Sequence, residues 1–256
     1  MMLYKEFLPI PELRDRIECY WKFFVGPDIS QPLLHVFPPD GCCNLLFVKS
    51  PYKSFILFSG PSTIVKEINI FPDTIFFGIR LKPGYSGWLY PADVAELKDK
   101  SINLTSTEIS TWQANFLSQL HWEFDDVSFF DNTLLILKSV KPVVIDERVA
   151  KAIKLISEHE GNISSKQIAS SVCMSPRNLE RVFLRSTGVK VKQFSQLRRL
   201  RKAIIDMCVE KKGRNEMIVE RGYTDPAHFY KSFRNISNYP LDKFQQHLRL
   251  IENQLI

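Results

Sequence analysis

Three arginines recur at every fourth position between residues 177 and 185. Ser175 and Pro176 precede them, which is typical of a helix N-cap followed by proline at the first helical position. Side chains four residues apart lie on one face of a helix, so Arg177, Arg181 and Arg185 form a basic face. Such a face is hard to bury, and phosphates or base edges of nucleic acid are its natural partners. The alternative is a helical hairpin whose charged face is simply solvated.

A second group of residues could support nucleophilic or metal chemistry. Cys42 and Cys43 lie close in sequence to Asp40 and His35. Their spacing is not that of a metal site, and buried cysteines are more often small apolar side chains. The sequence contains no phosphate-binding glycine loop and no H-E-x-x-H or G-x-S-x-G motif. We therefore expect no enzymatic activity, no metal and no cofactor. An odd number of cysteines, five, argues against a disulfide framework.

The net charge of +6 is divided unequally along the 256 residues. Residues 1–145 contain 13 basic and 16 acidic side chains, whereas residues 146–256 contain 21 basic and 12 acidic ones. Twelve of the basic side chains fall between residues 177 and 214, together with three acidic ones. Lys141-Pro142 lies at the change of composition, where proline disfavours helix at the preceding residue. The sequence therefore predicts two domains, residues 1–142 and residues 146–256.

The first half has the pattern of short β-strands. Four apolar segments are separated by turn sequences such as Pro38-Pro39-Asp40-Gly41 and Lys82-Pro83-Gly84. Thr105-Ser106-Thr107-Glu108 resembles a capping box before apolar residues at helical spacing, which predicts one or two closing helices. We expect a β-barrel or sandwich-like domain. The predicted strands are Leu33–Phe37, Asn44–Val48, Ser54–Ser59 and Thr74–Leu81.

The second half has helical periodicity and an internal repeat with an offset of fifty residues. Ser175-Pro176 is repeated as Asp225-Pro226, and Leu179-x-Arg181-x-Phe183 as Phe229-x-Lys231-x-Phe233. The repeat keeps the cap, the apolar pair and the basic residue at fixed offsets. Two copies of a helix-turn-helix are therefore predicted.

The repeat also predicts where these helices begin and end. Gly188 is matched by Asn238, and both residues can adopt the left-handed conformation that ends a helix. Ser164-Ser165-Lys166-Gln167 is a second candidate capping box. The fold class is thus α+β with two domains, the second all-α. Its predicted parts are helix-turn-helix units at about 164–187 and about 214–237, and a linker helix at about 190–209 with Leu197, Leu200, Ile204 and Cys208 facing inward.

Neither a membrane span nor a secretory signal is expected. The longest stretch without a charged residue, Ile109–Trp122, is shorter than the ~20 residues that a membrane helix needs. The first fifteen residues already carry several charges, which a signal peptide would not tolerate in its apolar region. We expect a cytoplasmic protein associated with the nucleoid.

At these positions the chain resembles the AraC/XylS family of bacterial transcription regulators, over roughly residues 150–248. That family has a DNA-binding domain of two helix-turn-helix units bridged by a helix. The first half also resembles an N-terminal module of some family members, through Glu18-Cys19-Tyr20-Trp21, Pro39-Asp40-Gly41-Cys42, Phe58-Ser59-Gly60-Pro61 and Gly78-Ile79-Arg80-Leu81-x-Pro83-Gly84. In the second half the motifs are Ser175-Pro176-Arg177-x-Leu179-x-Arg181-x-Phe183, Thr187-Gly188, Arg199-Leu200-x-x-Ala203 and Gly222-Tyr223-x-Asp225-x-x-His228-Phe229-x-Lys231-x-Phe233.

The resemblance implies that each unit inserts a recognition helix into a major groove of double-stranded DNA. An arginine can donate two hydrogen bonds to O6 and N7 of guanine, and a glutamate can accept a hydrogen bond from N4 of cytosine. His228 has either a base-reading or a structural role, and Arg199 either contacts phosphate or forms an internal salt bridge. The implied base contacts are Arg177, Asn178, Glu180 and Arg181 in the first unit and Ala227, His228 and Lys231 in the second. The implied phosphate contacts are Arg185, Lys190, Lys192, Arg198, Lys202 and Arg234, with Arg201 as a further candidate.

The second unit departs from the family pattern. The family usually has Gly-x-Ser-Pro after each recognition helix, and here the first copy reads Gly188-Val189-Lys190-Val191 and the second Asn238-Tyr239-Pro240-Leu241. A small alanine is replaced by Ile218, and an apolar residue by Arg221. We expect the second unit to pack differently or to read bases weakly.

The resemblance implies a sequence-specific transcription regulator. Its N-terminal half would sense a small molecule, form a homodimer, or both, and RNA polymerase is a candidate partner. A barrel interior lined with Phe and Trp can hold a small apolar molecule; a filled barrel would serve only as a dimerisation or partner module. The alternative function is a ligand- or redox-sensing protein-interaction module whose helical half does not read DNA specifically.

Overall fold

The computed structural model describes residues 1–104, 108–121, 123, 125–208, 218, 220–248 and 251–254. The N-terminal half is built on antiparallel strands, and a 3-10 turn at Pro11–Leu13 separates the first two. The strands are β1 (Met2–Phe7), β2 (Ile17–Val25), β3 (Leu33–Phe37), β4 (Asn44–Lys49), β5 (Ser54–Ser59), β6 (Lys66–Ile70), β7 (Thr74–Leu81), β8 (Ser101–Asn103) and, from the far end of the chain, β9 (Glu252–Gln254).

The strands form two sheets. The larger has the order β8-β5-β4-β7-β2-β1-β9, and β3 pairs with β6 in the smaller one. Successive side chains on a strand point to opposite faces, and β2 shows the consequence. Tyr20 and Phe24 belong to one apolar core, whereas Trp21 and Phe23 belong to another on the opposite face. A strand buried on both faces explains why β2 has no polar–apolar alternation.

Helices cover one face of the larger sheet. A short helix α1 (Ser86–Leu89) follows β7, and α2 (Thr111–Gln119) and α3 (Ser128–Val140) close the domain. Phe116 of α2 and Phe130 of α3 pack on Phe47 and Phe77 of the sheet, with ring centroids 4.6–6.1 Å apart, and on each other, with ring centroids 4.2 Å apart. These rings form the centre of the N-terminal core.

The C-terminal half is helical in the order that the repeat predicts. The first predicted unit corresponds to α5 and α6, α7 lies where the linker helix is predicted, and α8 is the second helix of the second predicted unit. Ile218 and Glu220 are helical and precede it. The helices are α4 (Glu147–Glu158), α5 (Ser165–Ser171), α6 (Pro176–Thr187), α7 (Val191–Cys208), α8 (Pro226–Ser237) and α9 (Leu241–Leu248).

The linker helix joins the apolar cores of the two units. Phe194 packs with the first unit, and Leu200, Ala203 and Ile204 pack with the second. Leu197 is also fully buried, so three of the four residues predicted to face inward do so. The side chain of the fourth, Cys208, lies outside the described residues.

The two halves of the chain are in direct contact. Gly41, with a φ of 70°, lies where an added Cβ would be 3.1 Å from both Phe194 and Leu197 of α7. The Val65 N–H donates to the Ser237 carbonyl over 2.9 Å, and β9 adds a parallel strand to β1. The predicted α+β fold with two domains is confirmed. The domain boundary between residues 142 and 146 falls in the connection between α3 and α4 and stays a prediction.

Other details differ from the expectations. All four predicted strands are present, but β1, β2, β6, β8 and β9 were not predicted. The candidate capping box at 105–108 lies mostly outside the described residues. Helix α2 instead begins after Ser110, whose N–H and Oγ both donate to Gln113 Oε1 over 2.8 Å. No helix among the described residues is long and apolar enough to cross a membrane.

Arg221 has a specific place in the second unit. Its guanidinium binds both carboxylate oxygens of Asp206 on α7, one of them over 3.1 Å, and also binds Glu160 after α4. Asp206 is fully buried, and Lys202 reaches the same carboxylate over 3.4 Å. The unusual arginine therefore ties the second unit to the linker helix by an ion pair.

We predict that Arg221→Leu destabilises the protein by about 3–5 kcal/mol, because it leaves the buried Asp206 carboxylate without its main partner. The double variant Arg221→Leu/Asp206→Leu should recover most of this loss, since both buried charges are then removed. Chemical unfolding of the four members of this cycle measures the effect. Equal stabilities of Arg221→Leu and the parent would contradict the assignment.

Candidate nucleic-acid interface

The first helix-turn-helix unit is shaped by local capping. The Ser164 Oγ and N–H both donate to Gln167 Oε1, and Ser164 Oγ in turn accepts from the Gln167 N–H over 3.2 Å, which completes the predicted capping box. Ser175 caps α6 by accepting from the Asn178 N–H over 3.3 Å, with Pro176 at the first helical position. Gly188 ends α6 with a φ of 73°. These caps fix both ends of the recognition helix.

The outward face of α6 is basic and accessible. Arg177, Arg181 and Arg185 are exposed, whereas Leu179 and Phe183 are buried. Asn178 and Glu180 are half-buried. The Arg181 guanidinium donates to Asn178 Oδ1 over 2.9 Å. This hydrogen bond holds the Arg181 head group against the first turn of α6.

The start of α7 extends this basic surface. Lys190 and Lys192 are exposed immediately after Gly188. Within the part of the chain that the structure describes, neither lysine forms an ion pair with a carboxylate, and the same holds for the three arginines of α6. The surface formed by Arg177, Arg181, Arg185, Lys190 and Lys192 is called the basic face below.

The second unit repeats the N-cap of the first, but its helix α8 exposes fewer basic side chains than α6 at the matched positions. Asp225 caps α8 by accepting from the His228 N–H over 2.7 Å. The His228 Nδ1 accepts from the Thr224 N–H over 3.2 Å, and its ring lies 5.6 Å from that of Tyr223. These contacts favour the structural role for His228. Asn238 ends α8 with a φ of 56°, in the predicted left-handed conformation. Ala227, His228, Lys231 and Arg234 are all exposed.

The arginines in the middle of α7 bind partners within the protein. Arg198 Nη1 binds both oxygens of Glu18 over 2.8 and 3.0 Å, and Arg201 binds Glu6 over 2.8 Å. Arg199 lies over the ring of Tyr223 at 4.8 Å, an internal cation–π contact in place of the expected choice between a phosphate and a salt bridge. In this conformation the Arg198 guanidinium is bound to Glu18. The phosphate contact predicted for Arg198 stays a prediction.

The carboxylates that hold these arginines belong to a buried polar cluster. Glu6 also accepts from Arg80 over 2.9 Å and from the Tyr4 hydroxyl over 2.8 Å, and Arg80 donates to Asp40 over 2.9 Å. Burial opposes ionisation of Glu18, but Arg198 and its neighbours hold the pKa of this carboxyl at about 2. Arg80 and Arg201 likewise lower the pKa of Glu6 against the effect of burial. Both carboxylates are therefore ionised at neutral pH.

Cys42 and Cys43, the two cysteines nearest in sequence to Asp40, do not have the environment of a reactive thiol. Cys42 and Cys43 are buried, and burial raises the pKa of Cys43 to about 12 and that of Cys42 well above its ordinary value. A thiol with a raised pKa is a poor nucleophile at neutral pH. Asp40 binds Arg80, and His35 binds His247 at a different place. Among the residues that the structure describes, no three His, Cys, Asp or Glu side chains are grouped as a metal would require.

A buried histidine pair joins the two halves. His247 Nε2 of α9 lies 2.7 Å from His35 Nδ1 of β3 and accepts the Val36 N–H over 3.2 Å. This pattern requires His247 to be protonated on Nδ1 and His35 to donate from Nδ1. Burial and the neighbouring His247 lower the pKa of His35 to about 3, and burial lowers the pKa of His247. Both rings are neutral at neutral pH.

A cavity of about 390 Å³ lies between the two sheets and the helical half. Aromatic side chains form much of its wall, and Ile204, Ile205 and Leu248 of the helical half complete it. One end is polar and is formed by Tyr4, Glu6, Arg80 and Arg201. The aromatic lining residues are Trp21, Phe23, Phe37, Phe55 and Phe76.

The structure thus brings together some of the residues that the sequence predicts to contact DNA. The basic face unites predicted base and phosphate contacts of the first unit, whereas Arg198 and Lys202 bind Glu18 and Asp206. Sequence reasoning missed the acidic partners, because Glu6 and Glu18 are far from α7 in sequence. Their place on strands that the sequence did not reveal explains why no local signal identified them.

Comparisons with known proteins agree with this geometry. Residues 168–247 match a family model described as a helix-turn-helix domain, and residues 5–103 match one described as a domain of unknown function, DUF6597. The first match covers most of α5 to α9, including the basic side chains of α6. A search among curated proteins gives no match.

Solved structures with a similar arrangement include bacterial regulators. A transcriptional regulator with an AraC-type DNA-binding domain from Chromobacterium violaceum is 23% identical, covers 40% of this chain and 92% of its own, and has a TM-score of 0.36. The C-terminal domain of AraT, a response regulator from Geobacillus stearothermophilus, is 16% identical over 41% of this chain and 88% of its own, with a TM-score of 0.37.

A third similar structure spans both halves. ToxT from Vibrio cholerae is 13% identical over 96% of this chain and 98% of its own, with a TM-score of 0.44. The match of the helix-turn-helix family model identifies the C-terminal half without reliance on these distant likenesses. Residues 168–247 therefore belong to a helix-turn-helix domain, which follows a β-rich N-terminal half.

Proposed function

We propose that this protein is a sequence-specific regulator whose first helix-turn-helix unit carries most of the base recognition. The observation behind the proposal is the basic face, which is exposed and has no acidic partner among the described residues. Arg181 can form two hydrogen bonds with guanine O6 and N7, and Glu180 can accept from cytosine N4. Lys190 and Lys192 stand beside these residues as phosphate contacts, which position the protein without reading sequence.

The second unit has a smaller part in this proposal. Ala227 offers at most a methyl contact to a base, and His228 is engaged with Thr224 and Tyr223. Lys231 and Arg234 are the exposed cations that remain on α8. We therefore assign to α8 mainly phosphate contacts, with Lys231 as its principal candidate for base recognition.

We predict that Arg181→Ala weakens binding to the selected DNA site by about 1–3 kcal/mol and relaxes the sequence preference, because it removes a base contact. Lys192→Ala, its matched control on the same face, should weaken binding to all duplexes about equally and reduce the salt dependence. Titration of labelled specific and random duplexes at several salt concentrations measures both effects. Equal losses for Arg181→Ala on specific and random DNA would contradict base reading.

We also propose that a small, largely apolar molecule controls this activity from the cavity between the halves. A volume of about 390 Å³ with an aromatic wall and a few polar groups is typical of a ligand site. A molecule bound there would contact β-strands and α7 together, because Arg201, Ile204 and Ile205 belong to the wall. A cavity lined by both halves supports a ligand-sensing role over that of a filled barrel. The effector is to be identified by experiment.

We predict that a molecule binding the cavity raises the thermal midpoint, by an amount equivalent to about 2.7 kcal/mol at 100 times its Kd. Screening small apolar compounds by thermal unfolding tests this. Leu46→Trp, which fills the cavity wall, should abolish the response, whereas Leu135→Trp on the exposed part of α3 should retain it. A compound that stabilises parent and Leu46→Trp equally does not bind in the cavity.

Further partners complete the proposal. Leu135, Ile136 and Val140 are exposed apolar residues on α3, and they are a candidate surface for the predicted homodimer. Contact with RNA polymerase and association with the nucleoid follow from the proposed function and stay predictions. Should the helical half bind no DNA, the protein would be a ligand- or redox-sensing interaction module, the alternative that the sequence leaves open.

A further inference from the structure

The linker helix carries two half-buried arginines that bind carboxylates of the N-terminal half. Arg198 is paired with Glu18, and the two side chains are 15% and 16% exposed. Arg201 is paired with Glu6, which is 4% exposed. We call the two ion pairs formed by Glu6, Glu18, Arg198 and Arg201 the carboxylate clasp. It connects β1 and β2 to the middle of α7.

The clasp uses the same kind of donor groups that would bind a phosphate, and it engages one terminal nitrogen of each guanidinium, Nη1 of Arg198 and Nη2 of Arg201. A guanidinium binds carboxylate and phosphate through the same planar set of N–H donors, so it cannot serve both fully at once. Arg198 already donates to both oxygens of Glu18 through Nη1. Arg80 and Tyr4 anchor Glu6 from within the N-terminal half. Glu6 is thus held in place by its own half of the chain, independently of α7.

We propose that the carboxylate clasp is an autoinhibitory contact, in which Glu6 and Glu18 compete with DNA phosphates for Arg201 and Arg198. The inference rests on the proposed DNA-binding function. Full DNA contact requires α7 to leave the N-terminal half, and the clasp opposes this. Glu6, Arg80 and Arg201 also line the cavity, so a molecule bound there touches one ion pair of the clasp directly. The cavity and the basic surface of α7 are thereby coupled.

The test compares Glu6→Gln/Glu18→Gln with the parent, both as full-length chains, on one duplex over a range of salt concentrations. Release of the two arginines should tighten binding at least about fivefold, the lower end of usual coupling between sites. The log–log dependence of affinity on salt should steepen by about 0.9 for each additional phosphate that the released arginines neutralise. Asp125→Asn is the control for net charge, because it removes a single N-terminal carboxylate, half the charge change of the double variant, that pairs with Lys5 and Lys22 and not with α7.

Each outcome has a distinct meaning. Unchanged or weaker binding by the double variant, with an unchanged salt dependence, overturns the clasp while the DNA-binding function stands. An equal increase in affinity for Asp125→Asn also overturns it, because the increase would then come from net charge alone. If neither parent nor variant binds any duplex with salt-dependent affinity, the proposed function fails and the clasp fails with it.

A second measurement needs no substitution and applies if the double variant does not unfold cooperatively. The Val36 and Val65 amides of the N-terminal half donate to His247 and Ser237 of the helical half. Separation of the halves on DNA would break both hydrogen bonds. Hydrogen exchange of the parent should therefore speed up at these two amides when DNA is added, while the Leu45 amide within the larger sheet is unaffected. Unchanged exchange at Val36 and Val65 in a DNA complex overturns the proposal.

Discussion

The arrangement of this protein depends on the burial of one amphipathic helix on two sides. Helix α7 contributes Phe194 to the core of the first unit and Leu200 and Ile204 to that of the second. On another side it packs against Gly41 and binds Glu6 and Glu18. A helix with apolar and charged partners around it cannot shift without breaking contacts in both halves. A molecule bound in the cavity would therefore contact the same helix that packs with the cores of both helical units.

The structure shows that only some of the basic side chains of the helical half are exposed to solvent. The helical half is strongly basic in sequence, but its cations fall into two groups. Those of α6 and the start of α7 are exposed and available, whereas Arg198, Arg201 and Arg221 bind buried or half-buried carboxylates. Counting basic residues overestimates the surface available to DNA in this conformation. A regulatory signal would act by changing how many of these cations are paired with carboxylates and how many are free to bind DNA.

Local sequence signals predicted the helical half well. Ser164, Ser175 and Asp225 are caps, and Gly188 and Asn238 end helices, because these features depend on a few neighbouring residues. Long-range features could not be predicted in this way. The ion pairs of Arg198 and Arg221 join residues 180 and 15 positions apart, and β2 is buried on both faces and lacks alternation. The candidate base contacts followed from a resemblance and from helical spacing, both of which can be read along a single helix.

The most direct test of the account is to select bound duplexes from a random pool with the full-length protein and to footprint the selected site. The account predicts protection of two successive major-groove segments about one helical turn, ~34 Å, apart. The stronger protection should lie over the segment read by α6 and should be lost with Arg181→Ala. Recovery of no preferred sequence, or protection that Arg181→Ala leaves unchanged, would contradict the claim that the first unit reads DNA through its basic face.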